Sequence, residues 1–262
     1  MHKSFDIAII GGGNAGLTLA KNLSDHRAAE NIAVIEPTHP REKHANWCSW
    51  HHEENLSNYQ DAIKGVWDSW SIIDDKTNIK HNSSEYKYAC IDSALYLSCI
   101  EEKLRSSSIK IIRDSVEKIK IKKNNKRELQ CENNTYEALH VYDSRPPEIK
   151  DDSLRQHFLG IEYELHNNQN IDAPILMDFR VDQACGLHFI YALPFSDNRL
   201  LVESTVISKK FNEKKWYRNQ IKQWIKHRNL KVNKIISEEV GAISQERCSH
   251  KNTHATSTSA RG

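Results

Sequence analysis

Residues 5–36 begin with FDIAIIGGGNAGLTLAKNL and close with IAVIE, and these two blocks decide the fold. Phe5–Ile10 is a nearly continuous apolar run, which is typical of a buried parallel strand. Leu17–Leu23 has the pattern of a helix, and Ile32–Ile35 is a second apolar run. This order predicts a βαβ unit at the start of an α/β protein.

The turn between the first strand and the helix has the G-x-G-x-x-G spacing of dinucleotide-binding folds. We expect Gly11 to permit the tight turn, Gly13 to let a pyrophosphate approach the backbone, and Gly16 to let the helix pack on the strand. The helix N-terminus adds amides and a positive dipole. Glu36 ends the second strand, where an acid can accept hydrogen bonds from ribose hydroxyls. The predicted nucleotide contacts are Gly11, Gly13, Asn14, Ala15, Gly16 and Glu36.

A second group of patterns lies further along the chain, where acidic residues interrupt apolar, strand-like runs. The segments are QHFLGIEYEL at 156–165, ILMDFR at 175–180, FIYALP at 189–194 and RLLVESTVIS at 199–208. A carboxylate in an apolar run should have its pKa raised by desolvation, so that it holds a proton near neutral pH. The pattern predicts an enzyme that protonates an apolar substrate. For each segment alone, a buried strand with an acid near its end is the structural alternative.

Three of these segments closely resemble the lycopene beta-cyclases, which close the ends of linear carotenoids. The FLGxE signature stands at Phe158–Glu162, the MDFR box at Met177–Arg180 and the LVExT segment at Leu201–Thr205. The resemblance implies FAD as the cofactor. It also implies a Rossmann-type FAD-binding domain of the aromatic-hydroxylase and geranylgeranyl-reductase type, followed by a β-rich substrate region.

Weaker matches lie between these landmarks. Asn46–Trp50 (NWCSW) is similar to a tryptophan-bearing segment of carotenoid cyclases. Tyr88–Leu104 resembles the helix that flanks the flavin in this group, and Val141–Pro146 (VYDSRP) resembles the DSR segment near the cofactor. By these motifs the resemblance covers about residues 4–243.

The resemblance implies acid-catalysed cyclisation of lycopene or a related linear carotenoid, without net redox change. A carboxylic acid protonates the terminal double bond, the neighbouring double bond closes a six-membered ring on the resulting tertiary cation, and loss of a ring proton gives the beta ring. Glu162, in FLGxE, is the first candidate for this acid, and Glu203, in LVExT, is the second. Asp178 and Arg180 complete the predicted catalytic set, with mutual pairing in a structural role as the alternative. FAD would act in its reduced form, with NADPH as the electron source, and would stabilise the cation.

Three further assignments concern residues near these motifs. Glu164 lies outside the FLGxE signature and is assigned to the surface. Trp47 and Trp50 are candidate walls for a polyene, because aromatic faces stabilise cations, with core packing as the alternative. Trp224 shares a helical face with Tyr217, Ile221 and Ile225 and is expected in the core.

The rest of the chain predicts an alternation of short elements. Residues 37–86 look rich in loops, and Asp92 is expected to cap a helix that runs through Arg105. Short strands are predicted at 109–112 with a continuation to 122, at 128–132 and at 139–143, and a last strand at 232–243. The predicted division is a dinucleotide-binding domain at 1–150, an incomplete substrate region at 151–243 and a disordered or aberrant tail at 244–262.

The tail departs from the cyclase pattern. After Ile243 the remaining residues contain no Val, Ile, Leu, Met, Phe, Trp or Tyr. Such a segment cannot bury enough surface to offset its ordering entropy. In cyclases a Pro-Met-Thr segment and a glycine-rich motif would follow, so we expect a truncated or frameshifted chain whose own activity is open.

Composition also bears on the binding partners and the cellular location of the protein. The formal net charge of +2 gives no sign of a nucleic-acid partner, and the basic run 118–127 alternates lysines with Ile119 and Ile121 like a solvated hairpin. The six cysteines lack framework spacing, and Cys48 with His51 and His52 lacks a second ligand pair, so no metal site is predicted. We predict a cytoplasmic protein. The apolar substrate leaves peripheral membrane contact open, and nothing fixes an oligomeric state.

Two alternatives to a cyclase remain. One is another flavoenzyme on the same scaffold, such as a hydroxylase or a polyprenyl reductase, which would oxidise NADPH in step with substrate turnover. The other is a non-enzymatic, degenerate remnant, which would not hold a flavin.

Overall fold

The computed structural model describes residues 3–122, 124–146 and 152–245. Three helices and sixteen strands lie in these ranges, joined by 3-10 turns at Pro40–Glu42 and Glu53–Ala62. In chain order they are β1 (Lys3–Ile10), α1 (Asn14–Asp25), β2 (Ile32–Ile35), β3 (Asn46–His52), β4 (Ile63–Trp67), β5 (Ser69–Ile73), β6 (Asn78–Asn82), β7 (Tyr86–Asp92), α2 (Ser93–Arg105), β8 (Lys110–Ile112), β9 (Val116–Ile121), β10 (Arg127–Cys131), β11 (Thr135–Asp143), β12 (Arg155–Leu165), β13 (Ile175–Asp178), β14 (Leu187–Ser196), β15 (Arg199–Ser208), α3 (Lys214–His227) and β16 (Val232–Ser244).

The described residues form two compact units, each built from two separate stretches of chain. Residues 3–45 and 92–146 form the first unit, and residues 46–91 and 152–245 form the second. The chain passes from the first unit to the second near residue 147, and the domain bounds predicted from the sequence stay a prediction. Residues 46–91 belong with the second unit, because β5 and β6 extend its sheet.

The first unit is a six-stranded sheet in the order β8-β2-β1-β11-β10-β9. Strands β8, β2, β1 and β11 are parallel, and β9 and β10 add an antiparallel edge. The predicted βαβ start is confirmed, with β2 at the predicted residues. The basic run forms the predicted hairpin between β9 and β10, and Ile121 is exposed on it.

Helix α2 begins where the sequence predicted. The side chain of Asp92 accepts a hydrogen bond from the amide of Leu95 at 3.0 Å, which caps the helix. Leu97, Ile100 and Leu104 are buried on one side. The segment Tyr88–Leu104, predicted to be one helix, is wrong in its first part, because Tyr86–Asp92 forms strand β7.

The second unit is a seven-stranded sheet in the order β16-β12-β15-β14-β13-β5-β6. All its pairs are antiparallel except β13 with β5. One face packs on α3, whose buried residues include Tyr217, Ile221, Trp224 and Ile225. The predicted helical face and the core position of Trp224 are therefore confirmed.

The prediction of a loop-rich stretch at 37–86 is wrong. That stretch contains β3, β4, β5, β6 and the start of β7, and β3, β7 and β4 pair as a three-stranded sheet. Polar and aromatic residues dominate these strands and few of their side chains are fully buried, so they lack the apolar runs that identify strands. The tail 246–262 lies outside the described residues.

Candidate active site and nucleotide site

The glycine turn between β1 and α1 has the geometry its spacing predicted. Gly11 has a φ of 98°, a conformation that favours glycine. A Cβ added to Gly16 would lie 2.0 Å from the carbonyl oxygen of Gly11, so only glycine permits this packing. A Cβ on Gly13 would meet nothing within 4 Å. The space in front of Gly13 is therefore open to a ligand.

Helix α1 points its N-terminus at this turn. It begins at Asn14, and its N-cap residue Gly13 supplies no side-chain hydrogen bond to the first amides. The first turn contains no acidic residue. Such a helix end attracts phosphate through its amides and its dipole.

Glu36 lies beside the turn, at the carboxyl end of β2. Its Oε2 accepts a hydrogen bond from the Gly12 amide at 2.6 Å and pairs with Lys43 Nζ at 2.7 Å. Burial tends to raise the pKa of Glu36, but Lys43 and the amides of Gly12 and Thr38 outweigh it and lower that pKa. Glu36 is thus a charged acceptor beside the glycine turn, and its contact with a ribose stays a prediction.

The DSR segment lies at the same turn. The hydroxyl of Ser144 donates to the carbonyl of Ile10 at 2.8 Å, and its oxygen would stand 2.9 Å from a Cβ on Gly16. Arg145 pairs with Asp143 at 2.6 Å. The open glycine, the uncapped helix end and the charged acid together fit a dinucleotide.

In the second unit, Glu162 and Glu203 project from the same face of the seven-stranded sheet. Glu203 on β15 stands opposite Gly160 on β12, and Glu162 follows two residues later on β12. Directly paired residues, and residues two apart, share a sheet face. The intervening residues Ile161 and Val202 face α3 in the apolar core. The structure therefore brings the two predicted acids together.

Glu162 is buried but fully paired. Its side chain is 3% exposed, and it meets Lys64 Nζ at 2.8 Å and the Nε of Arg199 at 3.1 Å. Burial tends to raise the pKa of Glu162, but hydrogen bonds and charge from Lys64 and Arg199 lower it below its usual value. The expectation that this carboxyl would hold a proton near neutral pH is wrong, because two cations stabilise its ionised form.

Glu203 has the raised pKa that was expected of Glu162. Its carboxylate accepts a hydrogen bond from the hydroxyl of Thr205 at 2.6 Å. Desolvation by burial, together with the charge of Glu239, raises the pKa of Glu203 to about 7, although the Thr205 hydrogen bond works against the rise. The side chain keeps partial exposure. Glu203 can therefore hold a proton at neutral pH and still be reached.

An aromatic cluster lies on this face, made of Trp50, Trp67, Trp70, Tyr88, Tyr191 and Phe195. Tyr191 on β14 stands directly opposite Glu203, and its hydroxyl is 2.8 Å from that of Tyr88. Burial raises the pKa of both tyrosines, so both stay neutral. Trp50 belongs to the cluster and is 49% exposed. The cluster supplies π-faces near Glu203, which suit a developing cation.

Asp178 and Arg180 lie apart from the two glutamates. Arg180 pairs with Asp178 at 2.7 Å, and the indole of Trp224 on α3 donates to Asp178 at 3.0 Å. Arg228 approaches the same carboxylate at 3.7 Å. Asp178 therefore joins β13 to α3, on the face opposite Glu203. The predicted mutual pairing is confirmed, and this geometry gives no support to a catalytic role.

Further residues, which were not predicted from the sequence, complete the sheet face that carries Glu162 and Glu203. Lys64 lies in the stretch predicted as loop, and Arg199 starts β15. Asn46 accepts from Lys64 at 2.8 Å, and its own amide groups donate to Glu239 on β16 at 3.2 Å. The segment ISEEVGAI at 236–243 has no alternation of polar and apolar residues that would have marked Glu239. Glu164, assigned to the surface, pairs with Lys234 and is partly exposed.

Within residues 3–122, 124–146 and 152–245 there is no group of three or more His, Cys, Asp or Glu side chains arranged to hold a metal ion. Among the helices of those ranges, none is long and apolar enough to cross a bilayer.

Comparison with known sequences identifies a family. The profile of the family described as "Lycopene cyclase protein" matches residues 6–259. A lycopene beta-cyclase from Pantoea ananas is 24% identical over 254 residues, which cover 93% of this chain and 63% of the relative. A lycopene beta-cyclase from Paracoccus sp. (strain N81106 / MBIC 01143) is 44% identical over 50 residues, covering 19% of this chain and 13% of the relative. The chain thus spans less than two thirds of the first relative. The family match also extends past residue 243, where the motifs had placed its end.

Solved structures share the fold at low identity. A geranylgeranyl bacteriochlorophyll reductase-like protein from Thermoplasma acidophilum superposes with a TM-score of 0.71 at 11% identity, over 93% of this chain and 67% of that protein. The halogenase PltM in complex with phloroglucinol and FAD gives 0.63 at 10% identity, over 92% and 61%. The p-nitrophenol 4-monooxygenase PnpA from Pseudomonas putida DLL-E4 gives 0.62 at 10%, over 94% and 70%. These matches confirm the predicted fold class.

Proposed function

Because this chain belongs to the lycopene cyclase protein family, we propose that it acts in acid-catalysed, non-redox ring closure at the ends of lycopene or a related linear carotenoid. Glu203 is the proton donor. This replaces Glu162, the first candidate from the sequence, as the acid.

The surroundings of Glu203 support this assignment most, because burial raises its pKa to about 7 and its hydrogen-bond donor is the neutral hydroxyl of Thr205. A general acid works best when its pKa lies near the operating pH. Glu203 has a pKa of about 7, whereas Lys64 and Arg199 hold Glu162 in its charged form. The aromatic cluster next to Glu203 gives the apolar, π-rich surroundings that a polyene end requires.

The reaction balances without an oxidant. The carboxyl proton of Glu203 forms a C–H bond at the terminal double bond, which leaves a tertiary cation. The neighbouring double bond supplies the electron pair of the new ring C–C bond, and a ring C–H bond then releases its proton to a carboxylate. In this proposal the rings of Tyr88 and Tyr191 lie beside the cation, and Glu162 offsets one of the two positive charges of Lys64 and Arg199, which lowers the cationic charge near the carbocation.

FAD fits the first unit. The open Gly13, the uncapped N-terminus of α1 and the charged Glu36 would hold its phosphates and ribose. The bound group in its reduced form would supply negative charge. NADPH is the proposed reductant, needed only in catalytic amount.

The decisive experiment compares Glu203→Gln with Glu164→Gln in cells that accumulate lycopene. Glu164 lies on the neighbouring strand, so its replacement is the same chemical change outside the site. We expect Glu203→Gln to lower ring formation by about 100-fold or more, the range of general acid catalysis, and Glu164→Gln to leave it unchanged. Cyclic products are measured by chromatography and by the shift of carotenoid absorption. Normal product from Glu203→Gln would refute the donor assignment.

Wild-type outcomes separate the alternatives. Cyclic product with no stoichiometric NADPH oxidation supports a cyclase. NADPH oxidised in step with substrate, without ring formation, would indicate a hydroxylase or reductase. A colourless preparation that releases no FAD on boiling would indicate a non-enzymatic remnant.

The cofactor site is tested by a pair of alanine substitutions. Gly13→Ala adds a methyl group that meets nothing in the protein, so we expect a folded chain that has lost bound flavin. Gly16→Ala forces a methyl group onto the Gly11 carbonyl, so we expect loss of the folded first unit as well. Flavin absorbance and far-UV circular dichroism distinguish the two. Full flavin content in Gly13→Ala would contradict this assignment.

A further inference from the structure

Three paired residues, Glu203, Gly160 and Glu239, lie side by side on adjacent strands of the seven-stranded sheet. Glu203 on β15 pairs with Gly160 from one side, and Glu239 on β16 pairs with it from the other. Both carboxyl side chains therefore leave the same face, with their backbones two strand spacings apart, roughly 10 Å. Gly160 has no side chain to separate them, and even a Cβ there would stand only 3.4 Å from Oε2 of Glu203.

The glutamates on this face differ in what stabilises their charge. Glu162 faces two cations, Lys64 and Arg199. Glu239 accepts hydrogen bonds from two N–H groups of Asn46, both at 3.2 Å, whereas the donor to Glu203 is the hydroxyl of Thr205. Donation by N–H groups favours the ionised carboxylate. Burial raises the pKa of Glu239 as well, but Asn46 and Lys64 oppose that rise, so of the pair that flanks Gly160 Glu239 ionises more readily and Glu203 holds its proton more firmly.

We propose that Glu239 is a positioning residue for the catalytic proton: its carboxylate, fixed by Asn46 and facing Glu203 across Gly160, keeps that proton on Glu203. The inference rests on the proposed function, in which Glu203 is the donor. It assigns a role to a glutamate on the last strand, outside the FLGxE, MDFR and LVExT segments. Two interacting carboxyls release their protons in separate steps, and the fixed anion makes Glu203 the later one.

Other groups around Glu203 do not supply this effect. Burial raises the pKa of Tyr88, Tyr191 and Cys90, which therefore stay neutral. Glu162 with Lys64 and Arg199 forms a group with one net positive charge, which does not raise the pKa of a neighbouring carboxyl. The titratable side chains that face Glu203 from the neighbouring strands are Cys48, Lys64, Tyr88, Cys90, Glu162, Tyr191 and Glu239. Among these described residues, Glu239 is the carboxylate whose charge raises the pKa of Glu203, and Asn46 and Lys64 partly offset the burial that raises the pKa of Glu239 itself.

The test is an NMR titration of the full chain with ¹³C-labelled glutamate carboxyls. The Glu203 signal is identified by its loss in Glu203→Gln. We expect Glu239→Gln to lower the titration midpoint of Glu203 by about one pH unit, because it removes a like charge. Gln can still accept from Asn46, and Glu239→Ala is a second neutral variant if the first does not fold. Glu239→Asp, which keeps the charge, should restore most of the midpoint.

The neighbouring Glu238 provides the matched control. It lies on the other face of β16 and pairs with Arg218 at 2.6 Å, so Glu238→Gln should leave the Glu203 midpoint unchanged. An unmoved midpoint in the folded Glu239 variants would overturn the inference. The titration does not require catalytic turnover. A wild-type chain that makes no cyclic product would therefore refute the proposed function without affecting the measured titration midpoints. In an active chain, Glu239→Gln should move the alkaline fall of activity to lower pH.

Discussion

The two faces of the seven-stranded sheet use alternating residues of the same strands in different ways. Ile161 and Val202 face α3 in a closed apolar core, whereas Glu162 and Glu203 face the aromatic cluster. The apolar face stabilises the sheet. The sheet can then hold carboxyl groups in surroundings that are costly for them. Each face can therefore be perturbed without changing the residues of the other.

The largest change in stability is expected from the α3 face. Ile221 is fully buried there, and Ile221→Ala should lower the free energy of unfolding by about 2–5 kcal/mol through lost burial and a residual cavity. Lys222→Ala, an exposed neighbour on the same helix, should change it by no more than about 0.5 kcal/mol. Urea unfolding measures both. Equal decreases in the free energy of unfolding of the two variants would mean that α3 does not cover this face.

A smaller change is expected from Glu162 on the opposite face. Removing one partner of a buried ion pair costs about 3–5 kcal/mol, and we expect Glu162→Gln to cost about 1–3 kcal/mol at pH 7 because both cations keep some solvent contact. The pKa of Glu162 is lowered in the folded state. Its stabilisation is therefore present above the ordinary carboxyl pKa and is lost as pH falls through the lowered value.

Urea unfolding at neutral and at strongly acidic pH tests this sign. The gap between wild type and Glu162→Gln should close as the pH falls. Glu164→Gln on the same strand should leave stability nearly unchanged at both, because its ion pair is solvated. A gap that stays constant with pH would show that packing, and not charge, accounts for the cost.

The smallest change is expected from Glu203, with the opposite sign. Its pKa is raised to about 7 in the folded chain, from an ordinary value of 4.5. Its favourable contribution is therefore present below pH 4.5 and is lost as the pH rises to about 7. The loss should be about 1 kcal/mol, and linkage allows no more than about 3 kcal/mol. The free energy of unfolding of Glu203→Gln should not show this fall between pH 4.5 and about 7. If it fell in parallel with that of the wild type, the raised pKa of Glu203 would be contradicted.

The first unit was predictable because its signals are local. Three glycines at fixed spacing and two apolar runs specify the turn between β1 and α1. Asp92 marks the start of α2, because aspartate is a common N-cap residue that can be recognised from the sequence. Strands β3 to β6 were missed since they pair half-exposed polar and aromatic residues, which show no alternation of buried and exposed positions.

The candidate site was predictable in its residues and not in their charges. The motifs placed Glu162 and Glu203 on two predicted strands, and the structure pairs those strands directly. Which of them holds a proton depends on Lys64, Arg199 and Glu239, and each comes from a different strand. A residue's pKa follows from such partners, so no local pattern at residues 158–162 could have fixed it.

The interleaving of the two units also constrains how the chain folds during its synthesis. Residues 69–73 of β5 cannot pair with β13 until residues 175–178 have left the ribosome. The first unit likewise cannot join β1 to β11 until residues 135–143 are made. Pairing between such distant segments is slow, so the nascent chain must keep its early strands unpaired while translation continues. Chaperones that shield exposed strands should therefore raise the yield of folded protein.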